Sequence, residues 1–181
     1  MRVLVQRVQE AHVEVEGRRT GSIGVGIVLF LGVKKGDGDP EARLLAEKVL
    51  DLRIFPDEKH GMNRSLRDVR GQVLLVSQFT LYGDCRRGRR PSFDAAEAPE
   101  RAEEIYRRFA AHLSSRGFPP QEGVFRASMM VHLQNDGPVT LLLDADPAEG
   151  NRGRAPGGDA LEGGEDGGSR GQVLDSREGQ A

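Results

Sequence analysis

Val73-Leu74-Leu75-Val76-Ser77-Gln78-Phe79-Thr80-Leu81 is an apolar run of valine and leucine that closes on residues a core strand has no need of. Taken as a strand from Gln72 to Leu81, its period of two puts Gln78 and Thr80 on one face and Ser77 and Phe79 on the other. Two readings follow. Either the polar residues mark where the strand leaves the core, or N–H groups and side-chain donors at the strand end form a small site for a carbonyl or oxyanion. A serine-triad hydrolase is the weaker form of the second reading. No Gly-x-Ser-x-Gly turn surrounds Ser77, and no His or Lys is placed by a recognisable motif to serve Ser77 or Thr80.

Working outward, Val3, Val5 and Arg7 alternate with Leu4, Gln6 and Val8, and Val13 and Val15 alternate with acids, as in half-buried strands. Gly17 to Gly21 reads as a turn, and Val25 to Val33 as a buried strand. A helix is expected from Asp39, its carboxylate capping free N–H groups, with Pro40 at the first helical position and Leu44, Leu45, Val49 and Leu52 as its apolar face. A second runs from about Pro99 to Ser115, with Ala102, Ile105, Tyr106, Phe109 and Leu113 at helical spacing and Gly117 stopping it. Val124 to Leu133 and Val139 to Leu143 are two further strands flanking Asn135-Asp136-Gly137-Pro138-Val139-Thr140, which on its own is an ordinary hairpin turn. Strands, helix, strand, helix, strands is an α+β layout rather than a repeated βαβ unit.

The 181 residues suit a single domain with one core. The net charge of -2 hides an asymmetry: from Asp146 on, acids outnumber arginines 8 to 4, while residues 1–145 hold 22 Lys+Arg against 20 acids. The expected domain, 1–145, is thus near neutral, and a nucleic-acid partner must be argued from local clusters. Residues 146–181 are rich in Gly and acids and poor in apolar side chains, so disorder is expected there. With no apolar run of membrane-span length and no hydrophobic stretch behind Arg2, a soluble cytoplasmic protein is expected. The single cysteine, Cys85, is compatible with a reducing compartment. His12, His60, His112 and His132 are scattered, with no second His or Cys at ligand spacing, so no metal is expected.

From Met1-Arg2-Val3-Leu4-Val5-Gln6-Arg7-Val8, through Ser77-Gln78-Phe79-Thr80 and Asn135-Asp136-Gly137-Pro138, to Leu143, the chain resembles the D-aminoacyl-tRNA deacylases. That resemblance implies a single domain of mixed, barrel-like strands packed with two main helices. It implies hydrolysis of the ester joining a D-amino acid, or glycine, to tRNA, by a homodimer with its active site at the subunit interface and without a cofactor. It places Ser77, Gln78, Phe79 and Thr80 around the terminal adenosine and aminoacyl group. Gly137 and Pro138, joined by a cis bond, are implied to enter the other subunit's site and select chirality, held there by Arg7. Steric exclusion of an L side chain cannot exclude glycine.

Arg86, Arg87, Arg89 and Arg90 form the densest basic cluster, either a solvated surface or a receiver of acceptor-stem phosphates, with Lys34 and Lys35 as possible additions. Cys85 beside them has no evident His partner, and no role falls to it or to His112 and His132. Two rival functions compete with the one the resemblance implies: a related deacylase correcting an L-amino acid error, disfavoured by Ser77 to Thr80, and a non-catalytic RNA-binding module, disfavoured by an aromatic content of 5% without a recognition pattern.

Overall fold

One strand organises the molecule. In the computed structural model, which describes residues 1–59 and 61–145, β1 (Arg2–Val15) runs antiparallel to three others. Along one edge its first half pairs with β3 (Gly26–Gly32) and its second half with β2 (Arg18–Ile23); along the other edge it pairs with β8 (Met130–Asp144) almost end to end. Beyond β3 the sheet continues with β6 (Gln72–Ser77) and β7 (Gln121–Glu122), both in parallel register. The result is the expected α+β architecture, a nearly closed, barrel-like mixed sheet. A separate two-stranded ribbon is made by β4 (Phe55–Pro56) and β5 (Met62–Arg64).

The period of two sorts side chains into two cores. Ile27, Leu29 and Leu31 of β3 and Val73 and Leu75 of β6 face the helices α1 (Asp39–Asp51) and α3 (Pro99–Ser115). Their alternates Val28, Leu74 and Val76 turn to the inside of the curl, against Val8, Ala11, Val13 and Ile23. α3 keeps the expected bounds, and Ile105, Phe109 and Leu113 are fully buried, each contributing about 1.5–3 kcal/mol of transfer free energy. A one-turn helix, α2 (Leu66–Val69), precedes β6.

Several local expectations are corrected. Asp39 does not cap α1: Gly38 is the N-cap, its N–H donates to Glu41 Oε2 at 2.8 Å, and Asp39 instead meets His112 Nε2 of α3 at 2.9 Å. That contact holds the Asp39 carboxyl below its usual range. Leu44 lies on the exposed side of α1, and Ala42, Ala46 and Leu50 take its expected place in the core. The first turn is tighter than Gly17 to Gly21, with Glu16 (φ 50°) and Gly17 (φ 74°) making it and Arg18 already in β2. Residues 124–129 are loop; the last strand starts only at Met130.

The amino terminus is inside the structure. The Met1 ammonium donates to Asp37 Oδ1 at 2.7 Å and to the Ala145 carbonyl at 2.6 Å, and neither member of the ion pair is exposed. The first and last described residues are therefore tied together.

Candidate active site

β6 does not run on to Leu81. It ends at Ser77, Gln78 adopts φ -146° and ψ 75°, and Phe79–Tyr82 coil into a 3-10 turn. The Gln78 N–H still pairs with the Leu31 carbonyl at 2.8 Å, so the break falls directly after the last ladder bond. Period-two faces do not apply past that point. Gln78 and Thr80 nevertheless meet, because the Gln78 amide Nε2 donates to Thr80 Oγ1. The opening N–H groups of a helical turn have no partner within it, and here they belong to Phe79 and Thr80.

Ser77, Gln78 and Phe79 line a cleft of about 540 Å³. Its apolar wall comes from Leu31, Val76, Phe93, Tyr106, Phe125 and Met129. Phe79 is 58% exposed and meets the Phe93 ring edge-on at 5.0 Å between centroids. Tyr106 donates its hydroxyl to the Leu75 carbonyl at 3.1 Å, and burial, with the nearby Glu122 carboxylate, pushes its phenol well above the ordinary range. It is a fixed donor, not a base. Glu97 and Arg126 are the charged residues of the lining; no His, Lys or Asp is among them. Phe93, Phe125, Arg126 and Met129 were not singled out from the sequence. Arg126 sits at φ 63°, a left-handed conformation costly for a non-glycine residue, in the loop misread as strand.

Gly137 and Pro138 are not a hairpin turn. Gln6 is opposite Thr140 and Val8 is opposite Asn135, so four residues, Asp136 to Val139, stand against the single Arg7. The segments on either side pair with β1 and not with each other, and the chain keeps its direction. The segment is a wide bulge in one strand. Its Gly137–Pro138 bond is cis, and both residues are exposed.

Arg7 braces the bulge from beneath. It is 7% exposed; Nη1 donates to the Ile54 carbonyl and Nη2 reaches the Gly137 carbonyl at 3.5 Å. Asp136 Oδ2 lies 2.9 Å from Nε, an ion pair whose alignment is too poor for a hydrogen bond, so Nε has no hydrogen-bond partner. Asn135 Nδ2 pins the neck, donating to the Arg7 carbonyl at 2.9 Å and the Val139 carbonyl at 3.0 Å. Arg7, Gly137 and Pro138 are thus brought together, but none of them lines the cleft of Ser77 to Phe79.

The basic cluster follows the 3-10 turn as an exposed loop. Arg86 is held by Asp84, with Nη2 to Oδ2 at 2.6 Å and Nε to Oδ1 at 2.9 Å, and this hydrogen bonding pulls the Asp84 carboxyl down to about 2. No carboxylate pairs with Arg87, Arg89 or Arg90 among the described residues.

The fold is thus a barrel-like α+β domain with an apolar cleft whose polar end carries the Ser77 hydroxyl and the Gln78 amide. Residues 4–144 match the family model of D-Tyr-tRNA(Tyr) deacylase. The chain belongs to that family. It is 57% identical over 145 residues to the D-aminoacyl-tRNA deacylase of Koribacter versatilis (strain Ellin345), covering 80% of this chain and 97% of that one. With the D-aminoacyl-tRNA deacylase of Thermus aquaticus it shares 53% identity over 152 residues, covering 84% and 100%. Among solved structures it is similar to the c-Myc DNA Unwinding Element Binding Protein, at TM-score 0.76 and 38% identity over 81% of this chain and 99% of that one. A probable eukaryotic D-amino acid tRNA deacylase, at TM-score 0.65 and 20% identity over 80% and 98%, shares the fold.

No helix among the described residues is long and apolar enough to cross a membrane. The expected disordered tail, 146–181, lies outside the described residues.

Proposed function

We propose that this protein hydrolyses the ester of D-aminoacyl-tRNA and of mischarged glycyl-tRNA, releasing tRNA and the free amino acid. The observation that carries the reading is the position of Ser77, Gln78 and Phe79, at the break of β6, in the wall of the cleft. An exposed Phe79 ring offers a stacking surface for the terminal adenine. N–H groups of Phe79 and Thr80, with the Gln78 amide, are suited to an ester carbonyl as charge develops on it.

A protein nucleophile would need a base; the cleft lining holds no His, Lys or Asp, and its carboxylate, Glu97, accepts from the Ala98 N–H at 2.8 Å with no hydrogen bond to Ser77 among the described residues. The substrate brings its own hydroxyl, vicinal to the scissile ester and already at short range, which makes it a proton relay without recruitment entropy. Metal and organic cofactors have no step in this scheme.

Chirality is assigned to Gly137 and Pro138 of a second subunit in a homodimer. Within its own chain Gly137 and Pro138 of the bulge are exposed and away from the cleft, which leaves them open to meet another copy. The backbone around Gly137 would accept the substrate ammonium and leave no room for an L side chain. Arg87, Arg89 and Arg90 would take acceptor-stem phosphates, and the activity would serve proofreading of tRNA charging in the cytoplasm.

Matched D- and L-aminoacyl-tRNA, with glycyl-tRNA alongside, test the reading directly. Release from the D and glycyl substrates should exceed release from the L substrate by at least roughly 10³, about 4 kcal/mol of differential transition-state binding. Equal D and L rates would overturn it.

A further inference from the structure

We propose that His12, Glu14 and His132 form a binding site for one divalent first-row transition ion, of which zinc is the natural candidate. The site is independent of the deacylation reading, since none of the three residues lines the cleft.

Local spacing gave no ligand set, but the sheet builds one. His12 and His132 are direct cross-strand partners in the β1–β8 ladder, and their rings stack 11° from parallel with centroids 4.5 Å apart. Glu14, two residues on, projects from the same face of β1. One of its oxygens lies 3.4 Å from His12 Nε2 and the other 3.9 Å from His132 Nε2. The three ligand atoms all fall within 4.8 Å of one another. In a tetrahedral site with bonds of about 2.0–2.1 Å, ligand atoms stand roughly 3.3 Å apart, so small side-chain rotations close the remaining gap. Two imidazoles and a carboxylate with a water in the fourth place are a borderline-soft set that suits zinc, not magnesium.

Burial and access fit the same reading. The side chains of His12, Glu14 and His132 are 24%, 34% and 48% exposed, so the strands restrain them while the open position faces solvent. A shallow cavity of about 440 Å³, lined by Glu10 and Gln134 one step along the ladder, reaches the histidine pair. One group opposes a cation here: Arg19 of β2, opposite Glu14, places Nη2 3.4 Å from His12 Nε2. Its side chain is exposed and can swing away, so it competes with the metal without blocking it. A bound ion would clamp β1 to β8 on the side of the bulge away from Met1 and Asp144, stabilising the folded chain by mass action.

The test uses the full chain, stripped of metal with a chelator, titrated calorimetrically with zinc chloride and followed by thermal melting. One equivalent should bind per chain with a rise in melting temperature, and cobalt(II) should give visible absorption of tetrahedral strength. His12→Gln and His132→Gln should each weaken zinc at least tenfold while melting normally without metal, and Arg19→Gln should tighten it. Four results would each overturn the site: absence of zinc binding, undiminished binding in both histidine variants, loss of binding in Cys85→Ser, or equal binding of magnesium.

Discussion

The chain interrupts its sheet in two ways, and the contrast between Ser77–Thr80 and Asp136–Val139 assigns them different jobs. At the first, a strand ends, the backbone coils, and the residues turn into a cleft of the same chain. At the second, the strand opens, expels four residues and resumes in register with the same partner. Held by a buried arginine and an asparagine staple, these four residues contact nothing in the cleft. Gly137 and Pro138 are exposed at the tip of the bulge, whereas Val139 is buried in the core. On the reading proposed above, the first break belongs to the chain's own site and the second to that of another copy.

The largest test of that division is made on the substrate. D-aminoacyl-tRNA ending in 2′-deoxyadenosine should bind but be cleaved at least roughly 10³ more slowly, about 4 kcal/mol in the barrier. Normal turnover, or an acyl group trapped on Ser77 or Thr80, would mean that the first break supplies a nucleophile.

Arg7→Ala removes the brace under the second break and leaves Asp136 without its cation. A loss of about 3 kcal/mol in urea unfolding is expected, the low end for a broken buried pair because Asp136 is 30% exposed. A loss under about 1 kcal/mol would show that the bulge holds itself.

Gly137→Ala sharpens the comparison further. An added Cβ would meet only Asn135 Oδ1, at 3.9 Å, so the chain itself does not need glycine there. Deacylation should fall at least roughly tenfold, equivalent to about 1.4 kcal/mol, while the melting curve stays unchanged. Unchanged activity would remove the bulge from the reaction. By contrast, Ser77→Ala and Thr80→Ala should retain appreciable rates, with Thr80→Ala the slower because it frees the Gln78 amide.

The smallest effect concerns the loop beside the first break. Replacing Arg89 and Arg90 with Ala should flatten the salt dependence of tRNA binding by roughly 0.7–0.9 log units per lost phosphate contact. Arg86→Ala should do less, since Asp84 already occupies its guanidinium. Equal slopes for all variants would return the cluster to plain surface.

Element types were largely legible because alternation and helical spacing are local properties. α3 kept its bounds, and β3 and β6 stood where their apolar runs placed them. What was missed depended on partners distant in sequence. Nothing in Gly137-Pro138 distinguishes a hairpin from a bulge; the register of both flanks against β1 decides it. Likewise the end of β6 is set by the last bond to Leu31, since the next carbonyl along that edge of β3, that of Val33, already accepts from the Glu97 N–H at 3.0 Å. Leu44 was misplaced because a helix with small residues on its buried side packs Ala42 and Ala46 where a leucine stripe would be expected. The resemblance singled out the first motif for the cleft, whereas Phe93, Phe125 and Arg126 come from segments without periodic signal.

The pairing of β1 with β8, sealed by the Met1 ammonium on Asp37 and Ala145, also sets a schedule. β1 cannot complete its hydrogen bonding until β8 emerges from the ribosome, which at ordinary translation speeds is on the order of ten seconds later. During that interval one whole edge of β1, the central strand, stands open, and such edges attract foreign strands. Sheet closure is therefore a late event in the birth of this molecule, and the nascent chain is most in need of shielding during synthesis, before its own terminus can be locked in place.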